Sequence, residues 1–107
     1  MNTDAQIASH LLRSRLGKIC VAITGNSHEE MVEKATEVLK ETNFIEFRLD
    51  YLPKPLAALP RLKQFLLDNT AATAIATCRC EENGGKFHGS NSAALEILLK
   101  AAAILGS

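Results

Sequence analysis

The sequence predicts an α/β fold of parallel βαβ units, and three observations carry that expectation. Apolar, β-rich runs alternate three times with amphipathic stretches. The runs recur at roughly 30 residues, the length of a strand plus a crossover helix. The first of them, KICVAIT, is continuously apolar between its lysine and its threonine, as a strand buried on both faces of a parallel sheet requires. No sequence repeat underlies the spacing.

The elements follow in order. Thr3 and Gln6 form a capping box for a leading helix with apolar positions Ile7, Leu11 and Leu12, closed by Gly17. Residues 18–24 are the first strand, and Gly25 and Asn26 turn the chain. Ser27 and Glu30 form a second capping box and open a helix to about residue 40, with Met31, Ala35, Val38 and Leu39 as its apolar stripe. The second strand spans residues 44–52. Pro53, Pro55 and Pro60 punctuate the next loop, with Pro60 in the first turn of a helix that runs to residue 68 and turns Leu62, Phe65 and Leu66 inward. TAIATCRC, residues 73–80, is the third strand. EENGGKFHG is a polar loop, and residues 92–105 are a helix ended by Gly106.

Composition narrows the class. Apolar residues make up 47% and charged residues 22% of the 107, a globular balance. Twelve basic residues offset twelve acidic ones, so nothing draws the chain to nucleic acid or to an anionic membrane. No apolar run approaches the roughly 20 residues of a membrane span, and the first 17 residues lack the core of a signal peptide. The cytoplasm is the expected location. Cys20, Cys78 and Cys80 cannot all pair within the chain, and C-x-C lacks the usual metal spacing, so they read as reduced thiols in or near the core. No metal site is expected of them.

Three parallel strands would leave apolar sheet edges open. The expectation is therefore a helical extension at residues 1–17, followed at 18–107 by the first three βα units of an eight-fold (β/α) barrel. A full barrel needs about 250 residues. Two rivals stand beside it: a partial barrel that self-associates, as a homodimer for instance, and a self-contained open sheet.

Within IEFRLDYL, Glu46, Arg48 and Asp50 occupy alternate positions and share one strand face, while Ile45, Phe47 and Leu49 share the other. In α/β folds, ligands gather at the carboxyl ends of strands. Arg79 falls at the end of the third strand, on one face with Ile75 and Thr77. Two guanidinium groups suit a carboxylate or polyhydroxy ligand through bidentate hydrogen bonds, with Glu46 accepting from hydroxyls or steadying an arginine. The alternative is a structural ion pair of Glu46 with Arg48 or Arg79. Binding is favoured for the arginines because an unpaired buried arginine is too costly. For Asp50 the structural role is favoured: it sits where it can cap backbone donors or pair with an arginine. Gly84 and Gly85 permit positive φ or close approach to a ligand, although a flexible turn is the simpler reading. His10, His28 and His88 form no cluster. No lysine occupies a dry strand end that would suit Schiff-base chemistry.

ICVAITG, EFRLD, and ATCR followed by GGKFHG resemble, in order and spacing, the N-terminal part of the type I 3-dehydroquinate dehydratase family. The resemblance runs from about residue 18 to residue 106. It implies a (β/α)8 TIM barrel and a lyase of the shikimate pathway. That enzyme converts 3-dehydroquinate to 3-dehydroshikimate through a lysine Schiff base with a histidine as general acid/base, and uses no cofactor. It assigns Glu46, Arg48 and Arg79 to substrate contacts and places the lysine and histidine beyond residue 107, which would leave this chain alone inactive. Two positions depart from the family pattern. Asn83 stands where the family has glutamate before the glycine pair, leaving Glu82 as a candidate loop contact, and Ala22 stands where the first strand often offers serine. A third reading is another barrel enzyme that holds a sugar phosphate on the Gly84–Gly85 loop.

Overall fold

Three short parallel strands in the order β1-β2-β3 form one sheet in the computed structural model, which describes residues 19–105. β1 is Val21–Ile23, β2 Phe44–Arg48 and β3 Thr73–Thr77. The helices are α1 (His28–Val38), α2 (Pro55–Asp68) and α3 (Asn91–Leu105). The alternation read from the sequence is therefore present. The predicted leading helix and the Gly106 stop lie outside the described residues.

Register sets the two faces of the sheet. Ile23 pairs with Phe47, Ala22 with Glu46, Glu46 with Ile75, and Arg48 with Thr77. Ile23, Ile45 and Phe47 are fully buried and meet Met31, Ala35, Leu59, Leu62, Phe65, Ile97 and Ala101 from the helices in one core. Phe47 meets Phe65 edge to face, centroids 6.3 Å apart at 78°. Strands laid down in sequence order, with crossovers of one hand, place every helix on the same side. That side is covered. On the other, Ala22 is exposed and Ile75 keeps 44% of its surface, so the expected burial on both faces is not met among the described residues.

Local chemistry explains where the elements begin and end. The Ser27 hydroxyl accepts from the Glu30 N–H at 3.1 Å, while the Glu30 carboxylate accepts from the Asn26 N–H at 2.6 Å. The second capping box is thus present, its return bond reaching one residue further back than Ser27. α1 ends at Val38, and a turn follows in which the Glu41 and Thr42 N–H groups both donate to the Val38 carbonyl.

Four elements differ in extent from the sequence reading. β1 covers only Val21–Ile23 where residues 18–24 were expected, because only those three residues pair with β2. β2 stops at Arg48, and Leu49–Tyr51 forms a 3-10 turn that takes Asp50 off the strand. α2 starts at Pro55 and not at Pro60, which lies inside the helix. An interior proline costs about 3 kcal/mol. Ala58, Leu59, Leu62 and Phe65 are all buried along that helix, and full burial contributes roughly 1.5–3 kcal/mol for each large side chain, so the helix persists through Pro60. β3 ends at Thr77, because the chain leaves the ladder at Cys78 to build the next loop.

Backbone hydrogen bonds tie that loop together. Glu81–Asn83 is a 3-10 turn capped by Gly84 at φ +86°, and Cys80 forms an isolated parallel bridge with Phe87. The outer edges of β1 and β3 have no strand partner among the described residues. Beside β3, a groove of about 260 Å³ is lined by Ile75, Leu98, Ala101 and Leu105, and Leu95 and Leu99 on α3 are exposed.

Candidate functional site

The uncovered face of β2 presents Glu46 and Arg48, as the alternation requires. Glu46 is half-buried, and its carboxylate accepts from the Thr77 hydroxyl at 2.8 Å across the β2–β3 pairing. It forms no ion pair with either arginine among the described residues, so the structural pair considered for Glu46 is absent.

Arg48 is not unpaired. Its Nε donates to Asp50 Oδ1 at 3.0 Å and its Nη2 to Oδ2 at 2.8 Å, a two-pronged contact that places both groups almost out of water. The Arg48 side chain keeps 14% of its surface and that of Asp50 none. The guanidinium carbon also lies 5.2 Å from the centroid of the Tyr51 ring. The cost argument that favoured binding at Arg48 is thus met inside the protein by Asp50. The Nη1 hydrogens remain as donors for a ligand.

Asp50 does what its position suggested, by a route the strand reading did not contain. The 3-10 turn carries it back under Arg48, where Oδ2 also accepts from the Lys86 N–H at 3.0 Å. Burial works to raise its pKa. The Arg48 hydrogen bonds and the backbone N–H groups of Lys86, Arg79 and Asp50 itself outweigh that, and the carboxyl is held below its ordinary value. The bond to Asp50 pushes the Arg48 pKa up against a smaller opposing effect of burial.

Arg79 lies beyond the end of β3, between buried Cys78 and buried Cys80, and is exposed. Its guanidinium makes no hydrogen bond or ion pair among the described residues. Its carbonyl accepts from the Phe87 N–H at 3.1 Å. The loop after it folds tightly. A Cβ at Gly85 would fall 2.0 Å from the Arg79 carbonyl oxygen, so the close approach allowed by the glycine pair is to the protein's own backbone. Gly84 supplies the positive φ. Glu82 and Asn83 are exposed in the 3-10 turn. Glu82 lines a surface hollow of about 550 Å³ with Glu81, His88 and Asn91, and none of Glu46, Arg48 or Arg79 borders it. Glu81 is engaged by His88 at 2.9 Å.

Of the four candidates, Glu46 and Arg48 therefore share one strand face, while Arg79 and Glu82 sit on the adjoining loop. Thr77, Tyr51 and the Lys86 N–H were missed as partners. Only Thr77 had a signal, its place on one face with Ile75 and Arg79, and its pairing with Glu46 needed the strand register.

The thiols are free. Burial, with smaller contributions from Asp50 and Cys80, pushes Cys78 up to about 11, while Arg48 pulls weakly the other way. Burial, then Glu46, raises Cys20. Among the described residues no cluster of three or more His, Cys, Asp or Glu side chains is placed to hold a metal, and no helix is long and apolar enough to cross a membrane. Lys34, Lys40, Lys54, Lys63, Lys86 and Lys100 are all exposed.

Comparison with known proteins bears on this geometry. The family model described as type I 3-dehydroquinase matches residues 19–106. Proteins named 3-dehydroquinate dehydratase from Coxiella burnetii, strains CbuK_Q154 and Dugway 5J108-111, are each 33% identical to it over 81 residues. Those 81 residues are 76% of this chain and 34% of each relative, so the chain spans about a third of the curated relatives it matches.

Proposed function

Because the chain belongs to the type I 3-dehydroquinase family, we propose that it supplies the substrate-holding part of a 3-dehydroquinate dehydratase, a hydro-lyase of the shikimate pathway acting in the cytoplasm. The observation that carries this reading is the polar patch on the uncovered sheet face. There Glu46, steadied by Thr77, lies two residues before Arg48 on the same strand face, and Arg48 is steadied by Asp50.

In this reading the Nη1 group of Arg48 and the free guanidinium of Arg79 hold the carboxylate and hydroxyls of 3-dehydroquinate. Glu46 accepts from a hydroxyl. Glu82 is the loop carboxylate available to the ligand, since Glu81 is occupied by His88. Ala22 pairs with Glu46 in register, so the hydroxyl that the resemblance offers on the first strand is missing beside that carboxylate. The Schiff-base lysine belongs elsewhere in the family's barrel: every lysine among the described residues is exposed, and a lysine needs a dry or electropositive setting to act as a nucleophile.

The barrel itself is part of the proposal. Helices on one face only, a bare polar face, and an apolar groove beside the β3 edge are what the first three units of a closed (β/α)8 barrel present.

An NMR titration of the chain with 3-dehydroquinate tests the reading. Shifts are expected at Glu46, Arg48, Thr77 and Arg79, are expected to vanish in Arg79→Ala, and should come without formation of 3-dehydroshikimate. Shifts confined to the helical side, or none at all, overturn the binding assignment. Turnover by the chain alone overturns the division of labour.

A further inference from the structure

Asp50 joins two parts of the molecule that lie 36 residues apart in sequence. Its carboxylate accepts from Arg48 at the end of β2 through both oxygens and from the Lys86 N–H in the loop after β3. That loop is stiff in itself: the Gly85 N–H donates to the Cys80 carbonyl at 2.9 Å, the Glu81 N–H to the Phe87 carbonyl at 3.0 Å, and the Phe87 N–H to the Arg79 carbonyl at 3.1 Å. A stiff loop moves as a body, so one further anchor fixes its placement. The anchor to β2 is Asp50, with no water-exposed surface on its side chain.

We propose that Asp50 is a positioning residue that sets the guanidinium of Arg48 and the Arg79–Phe87 loop at a fixed separation, so that both present their donors to one ligand. An isosteric amide cannot do this. Asn carries one acceptor oxygen where these three donors converge on two: its NH2 group would face Arg48 Nε in one orientation, and both Arg48 Nη2 and the Lys86 N–H in the other, donor against donor. Asn would also leave the Arg48 charge without its counter-charge. Glu restores the charge, but its extra methylene displaces the carboxylate from one of its two anchors.

The ligand half of this inference rests on the proposed 3-dehydroquinate binding; the anchoring half does not. Amide hydrogen exchange in the wild-type chain and in Asp50→Asn tests the anchor. Exchange at Lys86 and Phe87 is expected to quicken by about tenfold or more, the loss corresponding to a charged hydrogen bond, while Ile45 and Phe47 in the ladder change far less. Unchanged Lys86 exchange overturns the proposal. So does quickening by one common factor at all four amides, which marks general destabilisation.

If Asp50→Asn does not fold, the wild type still decides the matter. A through-hydrogen-bond coupling between the Lys86 amide nitrogen and the Asp50 carboxylate carbon is expected at neutral pH, and its absence overturns the anchor. Titration with 3-dehydroquinate completes the test: Asp50→Asn and Asp50→Glu should both weaken binding by about tenfold. Full affinity in Asp50→Glu overturns the claim that position matters beyond charge. No binding by the wild type, with Lys86 protection still dependent on Asp50, removes the functional reading and upholds the anchor.

Discussion

Replacing Gly85 by alanine should disturb this protein more than replacing its neighbour Gly84, although sequence alone makes the two glycines equivalent. A Cβ on Gly85 would lie 2.0 Å from the Arg79 carbonyl oxygen and 2.5 Å from the Arg79 carbonyl carbon and Cβ. The first two are backbone atoms, so no side-chain rotation relieves the clash and the loop must move as a whole. Four hydrogen bonds depend on its present place: Gly85 to Cys80, Glu81 to Phe87, Phe87 to Arg79, and Lys86 to Asp50. Three neutral bonds at about 1 kcal/mol each and one charged bond at about 1.5–3 kcal/mol set a ceiling near 6 kcal/mol. Glu81 and Lys86 are exposed, so water recovers part of that, and a loss of about 2–4 kcal/mol is expected. At Gly84 the added Cβ meets nothing within 4 Å, and only its φ of +86° is penalised, by about 1–2 kcal/mol. Urea unfolding of the two variants, with amide spectra to follow Lys86 and Phe87, gives both numbers. Gly84→Ala costing as much as Gly85→Ala, or an undisturbed loop in Gly85→Ala, would refute the reasoning.

Three further outcomes follow from the same geometry. The carboxyl of Asp50 is held below its ordinary value in the fold, so its contribution to stability is fully present above the unfolded value of about 4 and is lost as pH falls through the depressed folded value. The stability gap between wild type and Asp50→Asn should therefore narrow in acid, and a constant gap in urea midpoints down to about pH 2 counts against the Arg48–Asp50 pairing. Ser27→Ala removes the acceptor for the Glu30 N–H and should cost about 1 kcal/mol by urea unfolding, with no change in the spectrum of β2; a neutral result dismisses the cap. With a pKa of about 11, Cys78 holds roughly one thiolate in a thousand at pH 8, and alkylation should reach it only through unfolding, after Cys20. Cys78 labelling at the rate of a free thiol contradicts its burial.

What the sequence disclosed was decided by periodicity and by chemistry close in the chain. Ile45 and Phe47 alternate with Glu46 and Arg48, and the structure puts the first pair in the core and the second on the open face. Ser27 and Glu30 lie three residues apart and cap the helix they announced. The misreadings all came from long-range forces. The charges of IEFRLDYL alternate evenly through Asp50, yet the strand ends at Arg48 because Asp50 finds Arg48 and the Lys86 N–H by turning back. Pro60 looked like a helix start because its local cost is visible, whereas the burial of Leu59, Leu62 and Phe65 that outweighs it depends on what packs above them. TAIATCRC continues as β-rich sequence to Cys80, but its ladder partner ends at Arg48 and leaves nothing for Cys78 to pair with. For the site, the pairing of Asp50 with an arginine was legible from its position, while the partners of Glu46 and Arg48 were not. Glu46 was open to an arginine and took Thr77, and Arg48 was credited to a ligand on the ground that it lacked a partner it in fact has.

The stacking of Arg48 on Tyr51 has a practical consequence. The sequence contains one tyrosine and no tryptophan, so nearly all of the chain's intrinsic ultraviolet emission comes from a ring whose face lies under the guanidinium. Any event that draws Arg48 away, whether a bound anion or a broken pair with Asp50, changes the surroundings of that single fluorophore. The protein thus carries a label-free optical reporter at the residue whose role most needs measuring.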